Sequence, residues 1–255
     1  MYNNYIFDLY GTLIDINTNE ERELLWDKMA LIYGYNGAVY TAEEFKKSYF
    51  DIANDEEDKI IKKNQNKIVK KDDVHESHPE IQLEYVFQKL FINKGVQADM
   101  NLCIHVAQSF RALSTEYIKL YDGVKELLTA LKENGGKVYL LSNAQKVFTI
   151  YEMKMLGIYD YFDDIFISSE CLCKKPDVRF MEQLINKHKL KIKESIMIGN
   201  DILSDIGVAK QVDMDTFYIH SNLSPKADED KIDDTVATYV INEMDLNKVR
   251  KMLVG

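Results

Sequence analysis

The chain has few cysteines, no long apolar segment and a shortage of positive charge. Its 3 cysteines among 255 residues are an odd and sparse set, which argues against a fold held together by disulfides. No apolar run approaches the roughly 18 residues that a membrane span needs. The N-terminal residues also lack the basic stretch and apolar run of a secretory signal. We therefore expect a cytoplasmic protein without a membrane partner.

The excess of acidic residues limits the kinds of partner. Lys and Arg total 32 against 42 for Asp and Glu, which gives a formal charge of -10. The field of such a chain repels the phosphate backbone of a nucleic acid, so no nucleic-acid partner is expected. A small phosphorylated substrate remains compatible, because a local site can override the net field. Nothing in the sequence predicts an oligomeric state.

The order of strand and helix patterns predicts an α/β fold with a helical insertion. A short apolar strand ends at Asp8, and residues 18 to 117 carry apolar residues at helical spacing almost throughout. From about residue 122, helices such as Val124 to Glu133 and Val178 to His188 alternate with short strands. Strands separated by single helices imply right-handed parallel crossovers. We expect a doubly wound parallel sheet formed by residues 1–16 and 118–255, with an all-helical domain of residues 17–117 inserted.

The helical insertion contains one clear helix start and one ambiguous cluster. Thr41, followed by Glu44 three residues later, is typical of a capping box. The charge-dense stretch from Lys59 to Asp73 is interpreted as a solvated helix face or loop. The His and Glu residues around Pro79 favour the start of a helix, with a transition-metal site or a contact to substrate as alternatives. These residues are His75, Glu76, His78, Glu80 and Glu84.

Polar residues that could carry chemistry follow the ends of several predicted strands. Ligands of a doubly wound sheet bind at the carboxyl ends of its strands, so these residues are expected to meet at one rim. A carboxylate there can attack an electrophile and form an intermediate that water later hydrolyses. A lysine and a divalent cation can together offset the charge of a phosphate. The residues are Asp8 with Thr12, Ser142 with Asn143, Lys175, and Asn200 and Asp201 with Asp205.

The acidic residues at this rim favour Mg2+ as cofactor. Mg2+ prefers oxygen ligands and retains waters, so two Asp side chains and a backbone carbonyl would suffice. Three carboxylates within a few ångströms raise one another's pKa unless a cation lies between them. Either Asn200 or Asp201 could face the metal. The spacing from Asp201 to Asp205 favours Asp201, with Asp8 as its natural partner.

Four of these segments resemble, in the same order, the four motifs of the haloacid dehalogenase-like (HAD) hydrolases. The segments are Phe7 to Leu13, Leu141 to Asn143, Lys175 to Asp177 and Gly199 to Asp205. The helical insertion resembles the superfamily's C1-type cap, which closes over the site and selects substrate. The resemblance implies a nucleophile at Asp8 and a charge stabiliser at Lys175. It also implies binding of the transferring group by Thr12 and Ser142, a site residue at Asn143, and metal contacts from Asp8, the Tyr10 carbonyl and Asp201.

Tyr10 leaves the reaction open. Phosphatases of the superfamily that this chain resembles usually carry a second Asp two residues after the nucleophile, acting as general acid and base. A tyrosine there resembles the 2-haloacid dehalogenases, which work without metal and release a halide that needs no proton. That branch also has an Arg early in the cap and a Tyr six residues after the motif lysine. This chain has Arg22 close to the nucleophile and Met181 at the second position.

The two acids at 201 and 205 favour metal-assisted chemistry over halide displacement. The leading hypothesis is Mg2+-dependent hydrolysis of a small organic phosphate through Asp8. The first alternative is metal-free dehalogenation of a 2-haloacid. The second is a protein without catalysis that binds a phosphorylated ligand through Thr12, Ser142 and Lys175.

Overall fold

Eight strands form two sheets in the computed structural model, which describes residues 2–65, 80–228, 233 and 235–255. Six of these strands form a parallel sheet, and the other two form an antiparallel pair. The strands are β1 (Asn4–Phe7), β2 (Ile14–Thr18), β3 (Thr115–Leu120), β4 (Lys137–Ser142), β5 (Asp164–Ile167), β6 (Ser195–Gly199), β7 (Asp215–Ile219) and β8 (Tyr239–Ile241). The parallel sheet has the order β5-β4-β1-β6-β7-β8. The doubly wound α/β fold predicted from the sequence is therefore confirmed.

Helices connect the strands of the parallel sheet, and four of them separate β2 from β3. The helices are α1 (Glu23–Tyr35), α2 (Ala42–Gln65), α3 (Leu83–Asn93), α4 (Met100–Ser114), α5 (Val124–Glu133), α6 (Lys146–Met155), α7 (Ser168–Cys171), α8 (Val178–His188), α9 (Gly207–Lys210) and α10 (Leu246–Val254). The predicted bounds of α5 and α8 are confirmed. No helix in the described part of the chain is long and apolar enough to cross a membrane.

The central strands are buried on both faces. All five residues of β6 and all four residues of β1 are buried, as is typical of a parallel sheet covered by helices on both sides. Helix α5 covers part of one face with Leu127, Leu128 and Leu131. It ends before Gly135, which has a φ of +77°, a conformation that glycine adopts without steric cost. This packing holds the strand ends in fixed positions.

The pair formed by β2 and β3 corrects one part of the sequence analysis. Residues 18 to 117 were expected to be almost entirely helical, but β3 begins at Thr115 and pairs antiparallel with β2. The predicted domain boundaries at 16/17 and 117/118 therefore fall inside these two strands. The alternating burial and β-branched residues of β3 favour a strand. A strand of this length directly after a helix is too short to interrupt the helical periodicity clearly.

The ambiguous cluster around Pro79 is only partly described. His75, Glu76, His78 and Pro79 lie outside the described residues, as does the stretch from Lys59 to Asp73 beyond residue 65. Glu80 precedes α3 by three residues, and its carboxylate accepts hydrogen bonds from Gln145 Nε2 at 3.0 Å and Ser168 Oγ at 2.8 Å. Burial raises the pKa of Glu80, and Ser168 opposes the rise. Glu80 thus links the segment before α3 to the residues that begin α6 and α7.

The predicted capping box at Thr41 is confirmed. Thr41 Oγ1 accepts a hydrogen bond from the Glu44 amide at 3.1 Å, and Glu44 Oε2 accepts one from the Thr41 amide at 3.0 Å. Thr41→Ala is expected to lower the free energy of unfolding by about 1 kcal/mol, because it removes a partner from the first turn of α2. Urea denaturation measures the change. Thr41→Ser keeps the hydroxyl and serves as the control, so equal midpoints for the Ala and Ser variants would contradict this role.

Candidate active site

Asp8 lies directly after β1, at the carboxyl edge of the sheet. Its amide donates to the Ile198 carbonyl at 2.9 Å, which continues the pairing of β1 with β6. Its Oδ1 accepts from Lys175 Nζ at 2.7 Å and from Ser142 Oγ at 3.2 Å. Its Oδ2 receives no hydrogen bond from the described residues. Asp8 lines a cavity of about 170 Å³, so one carboxylate oxygen is held and the other is available at the cavity.

Lys175 uses all three of its ammonium hydrogens. Nζ donates to Asp8 at 2.7 Å, to Asp205 Oδ1 at 2.6 Å and to the Leu141 carbonyl at 2.8 Å. Its side chain is 1% exposed. Burial favours the neutral amine, but the charges of Asp205 and Asp8 outweigh burial and raise the pKa of Lys175. Lys175 is therefore a fixed cation that holds two carboxylates apart.

Asp205 supports this arrangement from the turn that follows β6. Its Oδ2 accepts from the amides of Asn200 at 3.0 Å and Asp201 at 3.1 Å, while its Oδ1 accepts from Lys175. Burial raises the pKa of Asp205 to about 7, with Lys175 opposing the rise. A Cβ at Gly199 would overlap the Asp205 carboxylate, so glycine is required at the end of β6. Asp205 holds the loop and Lys175 in place.

Asn143 fixes the backbone of Lys175. Its Nδ2 donates to the Lys175 carbonyl at 2.9 Å, and its Oδ1 accepts from the Lys175 amide at 2.8 Å. Both backbone groups of the lysine are thus bound by one side chain that follows β4. This contact sets the direction from which Lys175 approaches Asp8. Asn143 and Ser142 also line the cavity.

Thr12 lies outside the cavity wall. It is completely buried, and its hydroxyl donates to Asn200 Oδ1 at 3.1 Å. Among the described residues, those that line the cavity include Asn200 but not Thr12. The strand ends thus bring together Asp8, Ser142, Asn143 and Lys175. Thr12 instead holds Asn200, and its implied contact with a transferring group stays a prediction.

Residues with oxygen atoms of the kind that Mg2+ prefers line the cavity. Asp201 Oδ1 accepts from the amides of Leu203 and Ser204 at 2.8 and 2.9 Å, and its Oδ2 has no donor within the described chain. Asp8, Tyr10 and Asp201 line the same cavity. The described residues hold no group of three His, Cys, Asp or Glu side chains placed to bind one metal ion together. Three carboxylates against one ammonium group leave surplus negative charge, which favours a cation.

The Tyr10 side chain belongs to a separate buried network. Its hydroxyl donates to Glu152 Oε2 at 2.5 Å and contacts Thr149 Oγ1 at 3.1 Å. Arg111 Nε donates to Glu152 Oε1 at 2.6 Å, and the guanidinium lies 5.6 Å from the centre of the Tyr10 ring. Burial and the charge of Glu152 raise the pKa of Tyr10 well above its usual range. Tyr10 therefore keeps its proton.

Most of the chain matches a known family model. The model of the haloacid dehalogenase-like hydrolases matches residues 2–213. The chain belongs to this family. In this HAD-like hydrolase, the segments that resemble the family motifs lie at the ends of β1, β4 and β6 and after α7.

Known relatives of the HAD-like hydrolase include phosphatases. It is 24% identical over 136 residues to glyceraldehyde 3-phosphate phosphatase of Methanothermobacter thermautotrophicus, covering 53% of this chain and 59% of the relative. It is 30% identical over 124 residues to phosphoglycolate phosphatase of Photobacterium profundum, covering 44% and 54%. The match therefore spans little more than half the length of these relatives. The HAD-hydrolase YfnB of Bacillus subtilis, solved bound to magnesium, has the same fold, with a TM-score of 0.53, 19% identity and coverage of 99% and 98%.

Sequence reasoning missed two residues next to the first motif of the HAD-like hydrolase. Glu152 and Arg111 bind the Tyr10 side chain, but they lie on α6 and α4, far from Tyr10 in sequence. No spacing rule connects three such positions, so no local signal could have identified them. The contact of Asp205 with Lys175 was also unforeseen, although both residues had been placed at the same rim.

Gly11 provides a test of how tightly the first motif is packed. Its φ is +87°, and a Cβ there would overlap the side-chain amide of Asn200. Gly135 has a φ of +77° with nothing within 4 Å of an added Cβ. Gly135→Ala is expected to cost about 1–2 kcal/mol from backbone strain alone. Gly11→Ala is expected to cost clearly more, because Asn200 must also move.

Urea denaturation of both glycine variants measures the difference. A larger loss of stability for Gly11→Ala, with reduced binding of any ligand that Asn200 helps to position, is the expected result. Equal losses for the two variants would contradict the close contact between Gly11 and Asn200.

Proposed function

We propose that the protein hydrolyses small organic phosphates with Mg2+ as cofactor, using Asp8 as the nucleophile. The observation that carries this proposal is the state of the Asp8 carboxylate. Lys175 and Ser142 hold Oδ1, no described residue donates to Oδ2, and Asp8 lines the cavity. A carboxylate that served only as a structural acceptor would be satisfied at both oxygens.

The proposed reaction has two displacements at phosphorus. In the first, Asp8 Oδ2 forms a bond to phosphorus, and the bond from phosphorus to the leaving oxygen breaks. In the second, water forms a bond to phosphorus, and the aspartyl oxygen leaves as the restored carboxylate. Lys175 holds Asp8 in line and offsets the charge that collects near it. Asp8, the Tyr10 carbonyl and Asp201 would hold Mg2+, which would supply further charge neutralisation when bound.

The supporting evidence for the substrate class comes from charge and from the relatives. The cavity is small and polar, which suits a phosphoryl group and a water molecule. The named relatives are phosphatases for glyceraldehyde 3-phosphate and phosphoglycolate. The net negative charge of the chain speaks against a nucleic-acid substrate. A cytoplasmic location agrees with these proposals.

The helices between β2 and β3 are proposed to act as a C1-type cap over the cavity. Residues 17–117 form this cap in the proposal, and residues 1–16 and 118–255 form the catalytic core. Helices α1 to α4 pack around an apolar cluster that includes Trp26, Tyr33 and Phe45, and that also takes in Val147 and Phe148 of α6. This shared cluster seats the four helices against the core on the side of α6. Closure would exclude water and select the substrate.

Phosphate release from a panel of small phosphorylated metabolites tests the proposal. Release with Mg2+ and its loss in EDTA are expected. Tyr10 favours a second candidate, a dehalogenase, because its phenol is turned to Glu152 and a halide needs no proton. Halide release from 2-chloropropionate in EDTA, without phosphate release in Mg2+, would replace the first proposal with the second. Failure of beryllofluoride to bind at Asp8 across these conditions would support a binding protein without catalysis.

A further inference from the structure

We infer that the substrates are phosphoryl compounds whose leaving group departs as a stable anion, acyl phosphates first among them. Phosphate esters of aliphatic alcohols should be poor substrates. This inference rests on the proposed function and names its substrate class. The inferred substrates differ from those in the names of the relatives, because glyceraldehyde 3-phosphate and phosphoglycolate are esters of aliphatic alcohols.

The Tyr10 hydroxyl is directed toward residues of α6. Its single hydrogen is donated to Glu152 at 2.5 Å, and its other side-chain neighbour Thr149 also lies on α6. Glu152 is 8% exposed and is paired with Arg111 at 2.6 Å. Turning the Tyr10 hydroxyl toward a substrate would remove a hydrogen bond from a buried carboxylate, which is costly. Tyr10 therefore does not supply a proton to the leaving group.

The polar hydrogens of Lys175 and Ser142 are also donated to acceptors within the protein. The three hydrogens of Lys175 are bound to Asp8, Asp205 and the Leu141 carbonyl. The Ser142 hydroxyl donates to Asp8, and Asn143 is bound to the Lys175 backbone. Asp205 accepts three hydrogen bonds, from Lys175 and from two amides, and its side chain is 1% exposed, so it acts as a buried acceptor within the site.

The remaining cavity residues are poor acids or carry no proton. Asp201 accepts two amide hydrogens at one oxygen and is a proposed metal ligand at the other. Ser204 and Asn200 offer a hydroxyl and an amide, neither of which is acidic enough for general acid catalysis. Leu223 and Pro225 complete the wall with apolar side chains. Within the described residues, no group at this cavity can protonate a departing oxygen.

The consequence follows from the basicity of the leaving group. When Asp8 Oδ2 bonds to phosphorus, the electron pair of the broken bond stays on the leaving oxygen. A carboxylic acid has a pKa of about 4 and a phenol one of about 10, whereas the pKa of an alcohol is far higher and resembles that of water. A carboxylate leaves without a proton, but an alkoxide does not. General acid catalysis contributes about 10²- to 10⁴-fold, and this contribution is missing here.

The second displacement needs no additional co-reactant. Water bonds to phosphorus, the bond between phosphorus and Asp8 breaks with its electron pair staying on the carboxylate, and one proton of the water passes to a phosphoryl oxygen to give dihydrogen phosphate. The leaving group of this step is the Asp8 carboxylate, which Lys175 stabilises. This step is the same for every substrate. It should therefore limit turnover for good substrates, with a burst of leaving group before the steady state.

Two matched substrate pairs test the inference with the full-length protein and Mg2+. Acetyl phosphate and ethyl phosphate are similar in size and differ in leaving-group basicity, and p-nitrophenyl phosphate and phenyl phosphate form an aromatic pair. We expect kcat/KM for acetyl phosphate to exceed that for ethyl phosphate by at least about 10³-fold. The aromatic pair should show the same direction. Values for acetyl and ethyl phosphate within tenfold of each other would overturn the inference.

Variants at position 10 give an independent measurement. Tyr10→Asp restores an acid, so it should raise kcat/KM for ethyl phosphate relative to acetyl phosphate by about tenfold or more. Tyr10→Phe removes the phenol and should keep the wild-type ratio, whatever happens to either rate. A fall in kcat/KM for ethyl phosphate relative to acetyl phosphate in Tyr10→Phe would identify Tyr10 as the acid and overturn the inference. If Tyr10→Asp does not fold, the wild-type ratio and Tyr10→Phe still decide.

The same measurements separate this inference from the proposed function. No phosphate release from any of the four compounds would overturn the proposed function, and the inference would fall with it. Release from all four at similar kcat/KM would keep the phosphatase and overturn only the leaving-group preference. Fast release from acetyl phosphate with slow release from ethyl phosphate supports both.

Discussion

Asp8→Asn is expected to lower the turnover of any substrate by on the order of 10⁴-fold or more, as is typical when a covalent nucleophile is lost. An amide oxygen is a far weaker nucleophile than a carboxylate, and the change leaves the shape of the side chain almost unaltered. Its Oδ1 can still accept from Lys175 and Ser142, as Asp8 does. Activity should therefore fall much further than stability.

Steady-state phosphate release and urea denaturation together measure this prediction. Asp51→Asn is a matched control, because it makes the same chemical change at an exposed position on α2. The control should retain full turnover. An Asp8→Asn protein that keeps turnover within tenfold of the wild type would show that another group attacks the substrate.

Lys175→Met is expected to reduce both stability and turnover. The side chain is 1% exposed and is the shared partner of Asp8 and Asp205. Removing one partner of a buried ion pair typically costs about 3–5 kcal/mol, since the remaining charge is left buried and unpaired. Turnover should fall by on the order of 10²- to 10³-fold, as when a preorganised charge is removed from a site.

The stability loss in Lys175→Met should depend on pH. Burial already raises the pKa of Asp205 to about 7 in the presence of Lys175, and removal of the cation raises it further. When folding raises the pKa of a carboxyl group, the free energy of unfolding falls as the pH rises above the pKa of the same group in the unfolded chain, which is about 4. The deficit relative to the wild type should therefore be small near pH 4 and should grow toward pH 8.

Urea denaturation across this pH range measures the effect. The double variant Lys175→Met with Asp205→Asn should regain part of the stability at pH 8, because one unpaired charge is gone, yet it should not regain turnover. A Lys175→Met protein with wild-type stability at pH 8 would contradict the role of Lys175 as the cation between two carboxylates.

The sequence predicts the parallel sheet well because its signals are local. Each of β1, β4 and β6 is a short apolar segment, and the helices between them carry a clear 3.6-residue pattern. Ordering of strands and helices then places Asp8, Ser142 and Lys175 at the same edge. Their contacts agree with this expectation, while their catalytic roles stay predictions.

Other features depend on contacts that no local pattern records. Strand β3 follows α4 without a break, so its start at Thr115 was predicted as helix. The burial of Tyr10 against Glu152 depends on how α4 and α6 pack, which the residues near Tyr10 do not encode. Thr12 follows the first strand like Asp8, yet it lies behind the cavity and binds Asn200. Position along the chain predicts an edge of the sheet, but not the direction of each side chain.

The most direct measurement is the chemical state of Asp8 during turnover. Wild-type protein mixed with p-nitrophenyl phosphate and Mg2+ is quenched with acid before the steady state, and the peptide that contains Asp8 is analysed by mass spectrometry. The account predicts one phosphoryl group on Asp8, which hydroxylamine removes, and no phosphoryl group on the same peptide of Asp8→Asn. Turnover without a phosphoryl group on Asp8, or with one on another residue, would contradict it.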